Sequence, residues 1–133
     1  MCLLSNNKPR KARKDITCYK VIRIDENKDK APLFQTTKGS YKDWPVLKPE
    51  KEHNPICTET HYGDIYEYGP GFIHAFKTLK RAKDEDNFVK MESVNTEVWA
   101  CIIPKGIEFA EGVNKDICAK SMIAVQLIDI YKE

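Results

Sequence analysis

Gly69-Pro70-Gly71-Phe72-Ile73-His74-Ala75-Phe76-Lys77-Thr78-Leu79 joins a turn, an apolar strand and a helix start without a spare residue. Glycines on either side of a proline allow a tight turn, because glycine takes positive φ at little steric cost. Phe72 to Phe76 then reads as a strand. Thr78 is a candidate N-cap, since its hydroxyl can accept from an amide of the first helical turn. That helix is expected to run through Leu79, Ala82 and Lys83 and to end in Asp84-Glu85-Asp86-Asn87. A turn, strand and short helix set among longer strands decide for a mixed α+β fold.

Upstream, Ile16 to Ile24 is rich in β-branched and aromatic residues and reads as the first strand, with Asp25 to Lys30 as a polar turn. Pro32, Pro45, Pro49 and Pro55 forbid long helices in the next stretch, which is expected to lie over the sheet with Trp44 as its anchor. Tyr62 to Tyr68 supplies a further aromatic segment. Downstream, Glu97 to Ile103 is the strongest strand, stopped by Pro104-Lys105-Gly106, and Ile107 to Phe109 makes a short one. Glu111 to Asn114 turns the chain, and the alternation within Met122 to Tyr131 favours a final strand. The expectation is one α+β domain over residues 15–133, a mostly antiparallel, bent β-sheet of about five to seven strands with one or two short helices. Residues 1–14 form a basic N-terminal arm, with Lys8, Arg10, Lys11, Arg13 and Lys14 read as a solvated tail. An open edge on the final strand is a route to a homodimer.

The chain has 133 residues, 41% of them apolar, which is enough for one buried core. Its 22 basic and 20 acidic side chains nearly cancel, so no global field directs it to nucleic acid or to a membrane surface. Five scattered cysteines without a C-x-x-C pair fit reduced thiols, and Met1-Cys2-Leu3-Leu4 is too short for a signal core. A cytoplasmic protein of a bacterial host cell is expected.

The blocks Met1 to Leu4, Asp15 to Ile22, Gly71 to Phe76 and Cys101 to Gly106, with Glu111-Gly112, resemble a set of small proteins of gut Bacteroidetes and their phages. The resemblance implies a phage or prophage setting and names no activity. Small proteins in that setting often act stoichiometrically, by binding a host protein or sequestering a nucleotide-derived defence signal.

Three functional readings compete. The first is binding without catalysis: Tyr41, Trp44, Tyr62, Tyr66, Tyr68 and Trp99 supply flat faces, Arg23, Lys42, Lys77, Lys80 and Arg81 supply charge for phosphate, and the Thr78 helix start supplies free amides. With His74 beside them, Arg23, Trp44, Tyr62, Tyr66, Tyr68, Lys77 and Thr78 make the candidate ligand pocket, for a small molecule such as a nucleotide. The second is a small transferase or hydrolase using His74 and a carboxylate such as Glu108 or Glu111, in an order of elements that loosely resembles ADP-ribosyltransferases. The third is a protein-interaction module without ligand. His53, Cys57 and His61 have the residue types of a zinc site, but Pro55 breaks the helix that would align them, and no metal or other cofactor is expected. Cys57 with His61, or Cys101 with His74, would be the pairs for a cysteine nucleophile. A Walker-type phosphate loop is excluded, because Gly69-Pro70-Gly71 lacks the following lysine and hydroxyl.

Overall fold

A computed structural model describes residues 3–5, 8–24, 28–31, 41, 43–48, 60–62, 65–68, 72–90 and 95–128. The strands are β1 (Leu3–Ser5), β2 (Arg10–Lys11), β3 (Ile16–Ile24), β4 (Lys30–Ala31), β5 (Val46–Leu47), β6 (Thr60–Tyr62), β7 (Ile65–Tyr68) and β8 (Ile73–Phe76). Helix α1 (Leu79–Lys90) follows, and then β9 (Thr96–Ile103), β10 (Glu108–Glu111), β11 (Asp116–Ala119) and β12 (Met122–Ile128). The main sheet has the order β2-β10-β11-β8-β3-β9-β12-β5, with β4 also on β3, and a smaller sheet has the order β1-β7-β6. All the pairings are antiparallel. This is the expected α+β class, but the main sheet alone has nine strands where about five to seven were expected.

The centre is the β3–β9 ladder, eight consecutive partners from Ile16↔Ile103 to Arg23↔Thr96. Because side chains alternate across a strand, Cys18, Lys20 and Ile22 share one face with Glu97, Trp99 and Cys101. Tyr19, Val21 and Val98 take the other. On the first face Cys18, Cys101, Ile73, Ile117, Phe109 and Met122 belong to one buried cluster that reaches Leu47 at the far edge. On the second face α1 lays Leu79 and Ala82 over Val21 and Val98.

The sheet is bent, as expected, and the chain shows how. β9 and β10 stand four places apart in the strand order, about 19 Å in a flat sheet at the usual strand spacing. Yet only Pro104 to Ile107 connects them, folded into a turn by the Ile107 N–H donating to the Pro104 carbonyl at 3.1 Å. Gly106 holds φ at 91° there, a conformation glycine adopts without strain. The Gly106 N–H also donates to Ala12 and the Ala12 N–H to Ile107, so the β2–β10 edge curls back toward the start of β3.

Several expectations change in detail. α1 continues through Asp84-Glu85-Asp86-Asn87 to Lys90, because Asp86 is buried and accepts the Thr96 hydroxyl, which ties this part of the helix to β9. β11 was not foreseen: Asp116-Ile117-Cys118-Ala119 is too short to show a period. Ile107 belongs to the turn, so the next strand starts at Glu108. Within the basic arm, Arg10 and Lys11 pair with β10, Ala12 is buried, and Ser5 donates its hydroxyl to the Glu111 carbonyl. The Arg10 guanidinium stands 4.7 Å from the centroid of Phe109 and 3.6 Å from Glu111. This part of the arm is therefore sheet. β12 is a strand, and its edge is covered at Met122 and Ile123 by β5. Beyond them, Val125 and Leu127 are 51% and 48% exposed.

Thr78 caps α1 as expected, its hydroxyl accepting from the Arg81 N–H at 3.3 Å. Replacing it by Ala should lower stability by about 1 kcal/mol in urea denaturation, and Thr78→Ser should cost far less.

The β3–β8 seam is thinner than the β3–β9 one: its ladder has the single pair Tyr19↔Phe76. The Lys20 ammonium supplements it by donating to the His74 carbonyl at 2.6 Å. Burial lowers the Lys20 pKa to about 8, although the nearby Cys101 and Cys18 thiols work the other way. Burial pushes the thiols up, Cys101 to about 11, Cys118 to about 12 and Cys18 higher still. Folding thus retains thiol protons above pH 9, where the unfolded chain loses them. For Lys20 the folded state loses its proton first. Between about pH 8 and 9 Lys20 alone should raise stability, and above pH 9 the three thiols should reverse this, each by up to about 1.4 kcal/mol per pH unit. Urea midpoints measured from pH 7.5 to 10.5 should pass through a shallow maximum and then fall, and Lys20→Met should remove the rising limb.

Candidate functional site

At the upper end of the inner face, three aromatic rings meet two charges. Glu97 and Trp99 alternate to this face of β9, and Lys30 reaches it from β4, opposite Ile24. The turn before β5 brings Trp44, half-buried, onto Trp99, with ring centroids 5.0 Å apart and planes at 82°. Edge-to-face packing sets the positive edge of one ring against the negative face of the other. Tyr41 continues the row at 6.4 Å from Trp44, and its N–H donates to the Lys30 carbonyl at 2.8 Å. Trp44 is thus the anchor that the sequence predicts.

The Lys30 ammonium lies 5.9 Å from the Trp44 centroid and 5.7 Å from that of Trp99. It also pairs with Glu97 Oε1 at 2.8 Å, and Trp99 Nε1 donates to the same oxygen at 3.0 Å. Partial burial tends to raise the Glu97 pKa, but the Lys30 and Trp99 hydrogen bonds and the Lys30 charge outweigh it and hold the carboxyl below its ordinary value. The Glu97 carboxyl is therefore ionised at neutral pH. Because both charged side chains keep about a quarter of their surface in solvent, each ring contact contributes about 0.5–1 kcal/mol and the ion pair no more than about 1 kcal/mol.

The other predicted residues lie elsewhere. His74 is on β8, opposite Cys118 on β11, so it faces away from Trp44. Arg23, opposite Thr96, shares the helix-covered face with His74. Lys77 pairs with Glu111 at 2.8 Å, at the end of β10. Thr78 is occupied as the helix cap. Tyr62 is opposite Ile65 on β6, while Tyr66 and Tyr68 on β7 are opposite Ser5 and Leu3 of β1. Hence Trp44 and His74 cannot line one pocket. Strand parity separates them.

For the transfer reading, Glu111 is engaged by both Lys77 and Arg10, and Glu108 lies on β10, which β11 separates from β8. For cysteine chemistry, Cys101 is opposite Cys18, on the face away from His74. Cys118 does stand opposite His74, but a thiol at a pKa of about 12 is almost wholly protonated near neutral pH and is a poor nucleophile. His53 and Cys57 lie outside the described residues, and His61 is on β6. Among the described residues, no three His, Cys, Asp or Glu side chains converge as metal ligands. No described helix is long and apolar enough to cross a membrane.

Comparison with protein-family models, curated proteins and solved structures finds no match, so the chemistry rests on these residues alone. Sequence reasoning counted Trp44, Trp99 and Tyr41 among the flat faces but missed Lys30 and Glu97. The period of two in Glu97-Val98-Trp99 was the available signal for Glu97. Nothing local marked Lys30.

Trp44→Ala should destabilise the fold by about 2 kcal/mol, less than the 3–5 kcal/mol typical of a fully buried ring, because one side already faces water. Urea midpoints of the variant and the parent protein at equal m-value check this.

Proposed function

We propose that this protein captures a small ligand at the Trp44–Trp99 pair without transforming it. The observation that carries the reading is the meeting of two half-exposed tryptophan rings with a cation and a carboxylate at one end of a curled sheet. Rings of this kind bind flat or cationic groups, and the fixed charges select among them. Two ligand classes suit such a mixture: a nucleotide, with its base on the rings and phosphate on Lys30, and an organic cation held by the rings and Glu97. Capture is favoured over turnover because the described thiols are buried and protonated and the Glu111 carboxylate is already paired. In the phage or prophage setting that the resemblance implies, the ligand is a small molecule of the host cell, a nucleotide-derived signal among them.

A ligand bound only by the folded state raises Tm. Thermal melts with a nucleotide mixture and with small organic cations, each at millimolar concentration, should show a rise for at least one class that Trp44→Ala abolishes. Ligand recovered unchanged after denaturing the protein marks capture, altered product marks an enzyme, and an unmoved Tm with both classes refutes the proposal.

A further inference from the structure

Lys30 stands where a guest would. Its ammonium lies within the roughly 6 Å reach of a cation–π contact from both tryptophan centroids, and the two rings, nearly perpendicular, form two walls around it. Glu97 forms a third side, and Trp99 Nε1 holds that carboxylate in place from the β9 side. We propose that Trp44, Trp99 and Glu97 form a cage for an organic ammonium ion, which Lys30 fills from within until a guest displaces it. The inference rests on the capture reading above and names its ligand class.

The charges decide that class. Glu97 is kept ionised, so a phosphate entering between the rings would meet a carboxylate at close range, whereas a cation would meet a partner already aimed at it. Lys30 is suited to leave: it hangs from the two-residue β4 on a flexible four-carbon stem, and its side chain keeps 25% of its surface in solvent. A primary ammonium is strongly hydrated and gains from returning to water. A quaternary ammonium has no N–H to solvate and favours the ring faces, so exchanging Lys30 for such a guest trades like for better.

The test uses an accident of composition: the chain has only two tryptophans, and both are in the cage. Tryptophan fluorescence, excited beyond the absorption band of the six tyrosines, therefore reports on the site. The full chain is titrated with choline chloride against sodium chloride at matched ionic strength, in the parent protein and in Lys30→Met, which keeps an apolar stem and removes the charge. A saturable choline response should appear in both, at least tenfold tighter in Lys30→Met, and adding Glu97→Gln to that variant should weaken it at least tenfold. Equal affinities in the parent protein and Lys30→Met would show that Lys30 is no occupant. A folded Lys30→Met, checked by far-UV circular dichroism, without a saturable response would overturn the cage. Should that variant misfold, Lys30→Gln decides on the same criterion. Binding of nucleotides without choline leaves capture standing and removes the ammonium class, while silence from both removes capture as well.

Discussion

Two halves of the main sheet meet at a seam where strand pairing nearly fails, and a lysine bridges it. On one side β3, β9, β12 and β5 are joined through the long β3–β9 ladder; on the other, β8, β11, β10 and β2 hang together by their own. Between them stand one residue pair and the bond from Lys20 to the His74 carbonyl. The curl that brings the β2–β10 edge back toward the start of β3 runs across this seam. The ammonium adds a donor across the seam. Its stem meanwhile runs among Cys18 and Cys101 and takes part in the inner face it helps to close. Helix α1 covers the opposite face near the same seam through Leu79 and Ala82, so the bend is held from both sides.

From that bend comes the separation of the two faces, and from the separation comes the site. On the inner face Met122, Cys101 and Phe109 lie in one buried cluster, against which Trp99 and Trp44 pack only partly buried. Tyr41, like the two tryptophans, stays half-exposed there. Polar atoms follow: Glu97 and Lys30 can afford to sit on an inner face only where water still reaches them. The meeting of rings and charges is therefore a product of position within the curl.

Much of the scaffold was legible in the amino-acid order. β3 and β9 announced themselves by β-branched and aromatic runs, the Thr78 cap by its place before Leu79, and the turn at Gly106 by the proline two residues ahead. What stayed hidden was set by partners distant in sequence. Asp86 looked like part of a helix stop, and only the Thr96 hydroxyl makes it an interior residue of the helix. β11 is strand because β8 and β10 flank it, not because of its own composition. The candidate pocket around His74 assumed that nearness along the chain means a shared face. Alternation across β8 and β3 divides those residues between helix side and inner side, and the divide becomes visible only when the register is known.

The long ladder also has a temporal side. β3 and β9 are partners roughly 80 residues apart, so at about 5–20 residues per second the ribosome delivers the second strand roughly 4–16 s after the first. Through that interval the nascent chain carries an unsatisfied edge with a thiol and several branched aliphatics and has no mate to shield it. Contacts of such span are slow to form in any case, because chain entropy must be lost before they reward it. Slower elongation lengthens that exposure, and a holdase chaperone would cover it.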